Sequence, residues 1–167
     1  MNVKIRTATA EDAPAYIAFL EQIDRETNFL LWEPAERNLE VQSLRRNLNQ
    51  VDEDEGIRLI AEEEGRIVGF LVARRGVSRR IKHRADFVLG VLRQAWGRGI
   101  GTALLDRLEA WARVHGIWRL ELSVMAHNHR AIALYERLGY LREGVKRSAI
   151  LIDGQKVEEI IMGKILT

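Results

Sequence analysis

Residues 86–101 read DFVLGVLRQAWGRGIG, and three kinds of local structure follow one another in them. Residues 86–92 are rich in Val, Leu and Phe and predict a strand. Trp96-Gly97-Arg98-Gly99-Ile100-Gly101 then alternates glycine with other residues. A helix is expected over 99–115, with Ile100, Leu104, Leu108 and Trp111 on one stripe and Gly116 as its C-cap glycine. Alternating glycines at a helix start let the backbone approach a ligand closely. The first helical N–H groups have no intrahelical partners, and the helix dipole adds positive potential there. Arg98 adds a full charge. The segment therefore suits a phosphate or pyrophosphate, although a strand-to-helix turn that binds nothing has the same local pattern. A P-loop needs a lysine after the glycines, and here Thr102 follows Gly101 directly. The dinucleotide fingerprint G-x-G-x-x-G has a different spacing.

Outward from this segment, residues 3–6 read as an edge strand. Thr9 is an N-cap ahead of Glu11, Asp12 and Pro14, opening a helix with Ile17, Leu20 and Ile23 on one face. Residues 27–34 look like a loop, and a second helix is expected over about 35–50, with Leu39, Leu44 and Leu48. Strands over 57–63 and 66–74 meet at Glu64-Gly65, a hairpin signal. Leu120, Leu122 and Val124 alternate as a strand. Residues 128–138 form a short helix stopped by Gly139. Two last strands, about 141–151 and 156–166, meet at Asp153-Gly154, a strong hairpin turn. The order β-α-α-β-β-β-α-β-α-β-β predicts an α/β (α+β) fold: a mixed, mostly antiparallel central sheet of about seven strands, with helices on both faces.

The length of 167 residues fits one domain spanning 1–167. With 47% hydrophobic and 30% charged residues the chain has material for a core. No stretch approaches the roughly 20 apolar residues of a membrane span. The first residues lack the apolar run of a signal peptide, so a cytoplasmic location is expected. Absence of cysteine excludes disulfides and thiolate nucleophiles. His127-Asn128-His129 has no acidic partners, so no metal is expected. The net charge is only +2, but residues 74–84 hold Arg74, Arg75, Arg79, Arg80, Lys82 and Arg84. That stretch has no aromatic residue for base stacking. A solvated hairpin is the better reading, and nucleic acid is not the expected partner.

Two motifs together resemble the GNAT superfamily of N-acetyltransferases. Its loop reads Gln/Arg-x-x-Gly-x-Gly/Ala, and residues 96–101 match it from the second position, with Trp96 where Gln or Arg is usual. The second element is Asn128-x-x-Ala131-x-x-Leu134-Tyr135-x-x-x-Gly139-Tyr140, similar to N-x-x-A-x-x-L-Y-x-x-x-G-F with Tyr140 for Phe. The resemblance covers the chain from its first strand to its last hairpin. It implies a ternary-complex enzyme using acetyl-CoA, with no metal. The cofactor-binding residues it implies are Val91, Trp96, Gly97, Arg98, Gly99, Ile100, Gly101, Thr102, Asn128 and Tyr135. Backbone near Val91 would pair with the pantetheine arm, and Asn128 would hold that arm or the splayed strand end. Tyr135 would protonate the leaving thiolate. A thiol titrates near pH ~8.5 and a phenol near ~10, so this transfer is uphill in water and needs a desolvated, more basic thiolate. Tyr135 also shares a stripe with Ala131, Leu134 and Leu138, as a core residue would. The resemblance further implies a homodimer through the C-terminal strands.

The attacking amine must be neutral. At pH 7 a lysine is about 4.6 kcal/mol from that state and an α-amine about 1 kcal/mol, so an α-amine needs only a weak base. Glu121, Asp86 and Glu26 are candidate bases, with Glu121 opposite in facing to its apolar strand neighbours. The C-terminal half is similar to ribosomal-protein alanine N-acetyltransferases, which carry a glutamate five residues before the asparagine; Ser123 occupies that position here. Glu26, Phe29, Trp32 and Glu33 lie where such enzymes border the acceptor pocket, and would suit an amine with some apolar surface. The same residues could instead form an apolar loop capping the core. The expected function is acetyl transfer to a small-molecule or peptide amine. A non-catalytic acyl-CoA sensor and an RNA- or ribosome-associated protein are the alternatives.

Overall fold

The computed structural model describes residues 2–167. The elements are β1 (Val3–Thr7), α1 (Ala13–Glu26), α2 (Val41–Asn49), β2 (Gly56–Glu63), β3 (Arg66–Arg75), β4 (Arg84–Val91), α3 (Ile100–Val114), β5 (Arg119–Met125), α4 (His129–Arg137), β6 (Leu141–Ile152) and β7 (Gln155–Ile165). Their order is the one expected from the sequence. The seven strands form one mixed sheet, in spatial order β1-β2-β3-β4-β5-β7-β6. Its neighbours pair antiparallel except β4 and β5, which are parallel.

The two tight hairpins follow their turn residues. Glu64 and Gly65 have φ of 49° and 75°, and Asp153 and Gly154 have 47° and 77°. Two consecutive positive φ values match the twist of flanking antiparallel strands. Helices cover both faces. Tyr16 and Phe19 of α1 meet Phe70 edge-on at 6.4 and 5.6 Å. The neighbouring residue Gly69 faces the other way, toward Ile100 of α3. On that second face Leu104, Leu105 and Leu108 are fully buried. The alternation along β3 thus feeds two cores, one per face.

Helix α2 is shorter than the sequence predicts. It starts at Val41, whereas a start near 35 is expected from the pattern. Ala35 and Asn38 have positive φ (67° and 47°), which no helix accommodates. Arg37 is drawn out of any helical path by Asp24 of α1, which it grips through two bonds of 2.6 and 3.0 Å. Asp24 is buried, so this pair pins the 27–40 segment over the end of α1. At the first helix, Thr9 and Asp12 close a 3₁₀ turn before α1, Asp12 accepting the Thr9 N–H at 2.7 Å.

One feature of the sheet positions the site. β4 and β5 pair only at Arg84↔Arg119, Ala85↔Leu120 and Asp86↔Glu121. Beyond that rung the two strands part, and β4 continues to pair with β3 alone as far as Val91.

Candidate active site

The parted strands open a cavity of about 1130 Å³ that reaches both faces of the sheet. On the α3–α4 face its walls are Phe87 and Leu122 of the strands, the loop around Gly97 and Gly99, and Leu134 and Tyr135 of α4. On the α1–α2 face its floor is Arg58, Val72, Arg74, Asp86 and Glu121. The strand registers explain this division. Arg74 pairs with Asp86, and Asp86 with Glu121, so the three side chains form one rung on one face.

The glycine loop has the geometry of an anion cradle. Gly97 and Gly99 have φ of 70° and 79°, a conformation that other residues adopt only with strain. Gly99 caps α3, and the first bond of the helix is Ala103 N–H to its carbonyl at 3.0 Å. The amides of Ile100, Gly101 and Thr102 precede that bond. Gly101 serves packing instead. A Cβ there would come within 2.8 Å of Leu134 Cδ2, so its absence lets α4 approach α3. Ile100 turns its side chain into the core and offers the site only its backbone. Thr102 lines the cavity. These residues fit a pyrophosphate with an attached arm lying along the unpaired side of β4.

Trp96, the misfit of the sequence motif, is tied into this frame. Its indole N–H donates to the Val91 carbonyl at 2.8 Å, bracing the loop against the end of β4. The ring carries two guanidiniums, Arg130 at 4.7 Å and Arg93 at 5.6 Å from its centroid. Arg130 stands so close to the loop that its Nη2 is 3.5 Å from where a Gly97 Cβ would be. Arg130 was missed from the sequence. Its signal was its place two residues past Asn128, in the first turn of a helix whose dipole disfavours a cation unless an anion accompanies it.

Other predicted residues fall into three groups. Asn128 borders the cavity, but its Oδ1 accepts the Ala131 N–H at 3.2 Å and so caps α4. Phe29 and Trp32 line the cavity on the α1–α2 face, Phe29 also packing 4.9 Å from the His127 ring. Glu26, Glu33 and Arg98 do not line it. Glu26 accepts the Arg93 backbone N–H at 2.8 Å and a bond from Gln22 at 3.0 Å, which fixes the end of α1 to the loop after β4. Glu33 is exposed. Arg98 is paired with Glu63 at the β2–β3 hairpin; each holds the other in its charged form, so the Arg98 charge is not free for a ligand.

The titratable groups that remain in the cavity differ in their partners. Glu121 accepts from Arg119 at 3.0 Å, with Arg84 at 3.9 Å. Asp86 has no ion-pair partner among the described residues. Tyr135 is buried, edge-on to Phe87 at 6.0 Å and to Tyr140 at 5.7 Å, and burial alone raises its pKa above the ordinary phenol value. Its phenol therefore stays protonated and neutral at any physiological pH. Among the described residues no three His, Cys, Asp or Glu side chains gather into a metal site, and no helix is long and apolar enough to cross a membrane.

Comparison with known proteins returns one picture. The model of the acetyltransferase (GNAT) family matches residues 17–140. An acetyltransferase of GNAT family from Streptococcus pneumoniae is 29% identical, with a TM-score of 0.93 over 98% of this chain and 99% of that one. A ribosomal-protein-alanine N-acetyltransferase from Brucella melitensis is 27% identical, with a TM-score of 0.84 over 98% and 99%. YncA from Salmonella typhimurium, solved with its cofactor acetyl-CoA, is 20% identical and shares the fold with a TM-score of 0.85 over 100% of this chain and 95% of that one.

Proposed function

The chain belongs to the acetyltransferase (GNAT) family, and from that premise we propose that it moves an acetyl group from acetyl-CoA to a primary amine by direct attack in a ternary complex. The observation that carries the proposal is the parting of β4 and β5 beyond the Asp86↔Glu121 rung. It joins a phosphate cradle on one face to a charged floor on the other through one cavity. Acetyl-CoA supplies the activated acyl group, the new N–C bond forming as the C–S bond breaks. The backbone amides of Gly97 through Thr102 hold its pyrophosphate, with Arg130 over the loop as counter-charge and Trp96 holding Arg130 and the loop together. Val91 gives its carbonyl to Trp96, so the arm uses the neighbouring free backbone of β4. Asn128 acts on the site by capping α4 and so setting the position of Tyr135.

Tyr135 is the proton donor to the departing sulfur. The ordinary gap between a phenol and a thiol, about 1.5 pKa units, works against it in water. Burial lifts the phenol further, but desolvation lifts a thiol for the same reason. A thiolate leaving inside the same apolar wall of Phe87, Leu122 and Leu134 is raised in the same direction, which offsets the rise of the phenol. Asp86, unpaired and on the acceptor face, receives the amine's proton, directly or through water; Glu121 beside it is already engaged by Arg119. Phe29 and Trp32 supply apolar wall for the acceptor.

The test is Tyr135→Phe. The variant's kcat should fall about a hundredfold, the scale of one lost general acid, with the calorimetric Kd for acetyl-CoA unchanged within a factor of about two. Full turnover in that variant removes Tyr135 as the acid.

A further inference from the structure

The acceptor face of the cavity is not a generic amine site, because its uncompensated charge is mostly positive. Arg58, Arg74 and Asp86 all line it, and none has an ion-pair partner among the described residues. Every other charged side chain on this floor is answered: Arg37 by Asp24, Glu121 by Arg119, and Lys146 by Glu159 at 3.9 Å. What is left over is two guanidiniums and one carboxylate.

Their arrangement follows from the strand registers. Arg58 is opposite Val72, and Arg74 is two residues further along the same strand face. Arg74 is directly opposite Asp86. Side chains opposite one another across a sheet are about 5 Å apart at Cβ, and diagonal ones about 7–8 Å. Two cations on neighbouring strands thus lie to one side of a carboxylate on the next strand, all on one face and all lining the cavity. The Tyr16 phenol on the same wall is pushed up to about 12 by burial, with the positive field of Arg58 and Arg37 holding the rise back. The two guanidiniums outnumber the single carboxylate on this floor, and a bound carboxylate answers the excess positive charge while accepting paired N–H bonds.

The geometry points to a substrate class: the acceptor is a small, amino-acid-like amine that carries its own carboxylate, held by Arg58 and Arg74, with its amine beside Asp86. This rests on the acetyltransferase reading of the cavity given above. It disfavours a polyamine, which two cations repel, and a polypeptide N-terminus, which brings no carboxylate to this distance.

The test uses the full chain, acetyl-CoA and matched acceptors: a set of amino acids, their α-amides, the amines lacking the carboxylate, short peptides and polyamines. Thiol release is read as kcat/KM referred to the unprotonated amine, which removes the difference in amine basicity. The expected result is a preference for amino acids over their amides of about tenfold to a hundredfold, the worth of charged hydrogen bonds. Arg58→Gln and Arg74→Gln each shrink that ratio, Arg58→Lys retains part of it, and calorimetric acetyl-CoA affinity reports that the variants are folded. Equal or better turnover of amides, peptides or polyamines by the parent protein overturns the substrate class while leaving the acetyltransferase reading intact. Acetyl-CoA binding without turnover of any amine overturns that reading and the substrate class with it.

Discussion

Tyr135 and Tyr140 lie edge to face in one aromatic group with Phe87, yet their hydroxyls have different prospects. That of Tyr135 belongs to a residue lining the cavity. That of Tyr140 is buried with no hydrogen-bond partner among the described residues. An unanswered buried hydroxyl costs free energy that a phenyl ring avoids. Tyr140→Phe should therefore raise stability by about 1 kcal/mol in denaturant unfolding, without changing kcat; a loss of stability would show that the hydroxyl has a partner. Single residues also mark the limits of reading the sequence. Tyr135, Asn128 and the glycines are legible because they sit in motifs of fixed spacing. Arg58 and Arg74 are not, because their common face depends on a strand register that no local pattern encodes. Arg74 in particular reads as the start of a basic stretch, whereas the sheet turns it into the cavity and leaves residues 79, 80 and 82 outside it.

The strand–loop–helix unit is where local sequence and tertiary bracing meet. Gly99 shows the division clearly, since a Cβ there meets nothing within 4 Å among the described residues. Any loss in Gly99→Ala comes from the left-handed backbone alone, about 1–2 kcal/mol. Thermal unfolding should show that loss, and unchanged stability would mean that the loop relaxes to another conformation at no cost. The elements themselves were legible from hydrophobic period and turn residues, including both two-residue hairpins. The start of α2 was not. Residues 35–40 carry a helix-like pattern, but the Arg37–Asp24 pair and the positive φ at Ala35 and Asn38 override it. Glu26 is a similar case: proximity in sequence to Phe29 and Trp32 suggests the pocket, while its carboxylate is used to join α1 to the loop after β4. The role of Trp96 was hidden in part: its partner carbonyl Val91 and Arg93 lie just before it in the chain, whereas Arg130 comes from α4.

Across the fold, carboxylates held by arginines set the response to acid. Asp12 is kept below its ordinary pKa chiefly by the side-chain bonds from Arg6, and Glu143 by those from Arg119. A carboxylate whose folded pKa is depressed stabilises the fold above its unfolded pKa, near ~4, and that contribution is lost as pH falls through the folded value. Melting temperature should thus be level near neutrality and fall on acidification below about pH 4. Arg6→Gln should lower the neutral plateau and flatten part of the acid decline; an unchanged acid slope would mean that Asp12 does not supply it. The order of elements, the mixed sheet and the family were all readable in advance. The through-cavity was not, since it arises where β4 and β5 stop pairing, a property of two strands separated by a whole helix. On that cavity rests the claim that acetyl-CoA and an amine meet directly. The most direct measurement is the initial-velocity pattern of thiol release with both acetyl-CoA and an amino-acid acceptor varied. Intersecting reciprocal lines, with thiol release dependent on the amine and the acetyl mass appearing on it, are what the account predicts. Parallel lines, or tight acetyl-CoA binding with no amine-dependent thiol release, would contradict it.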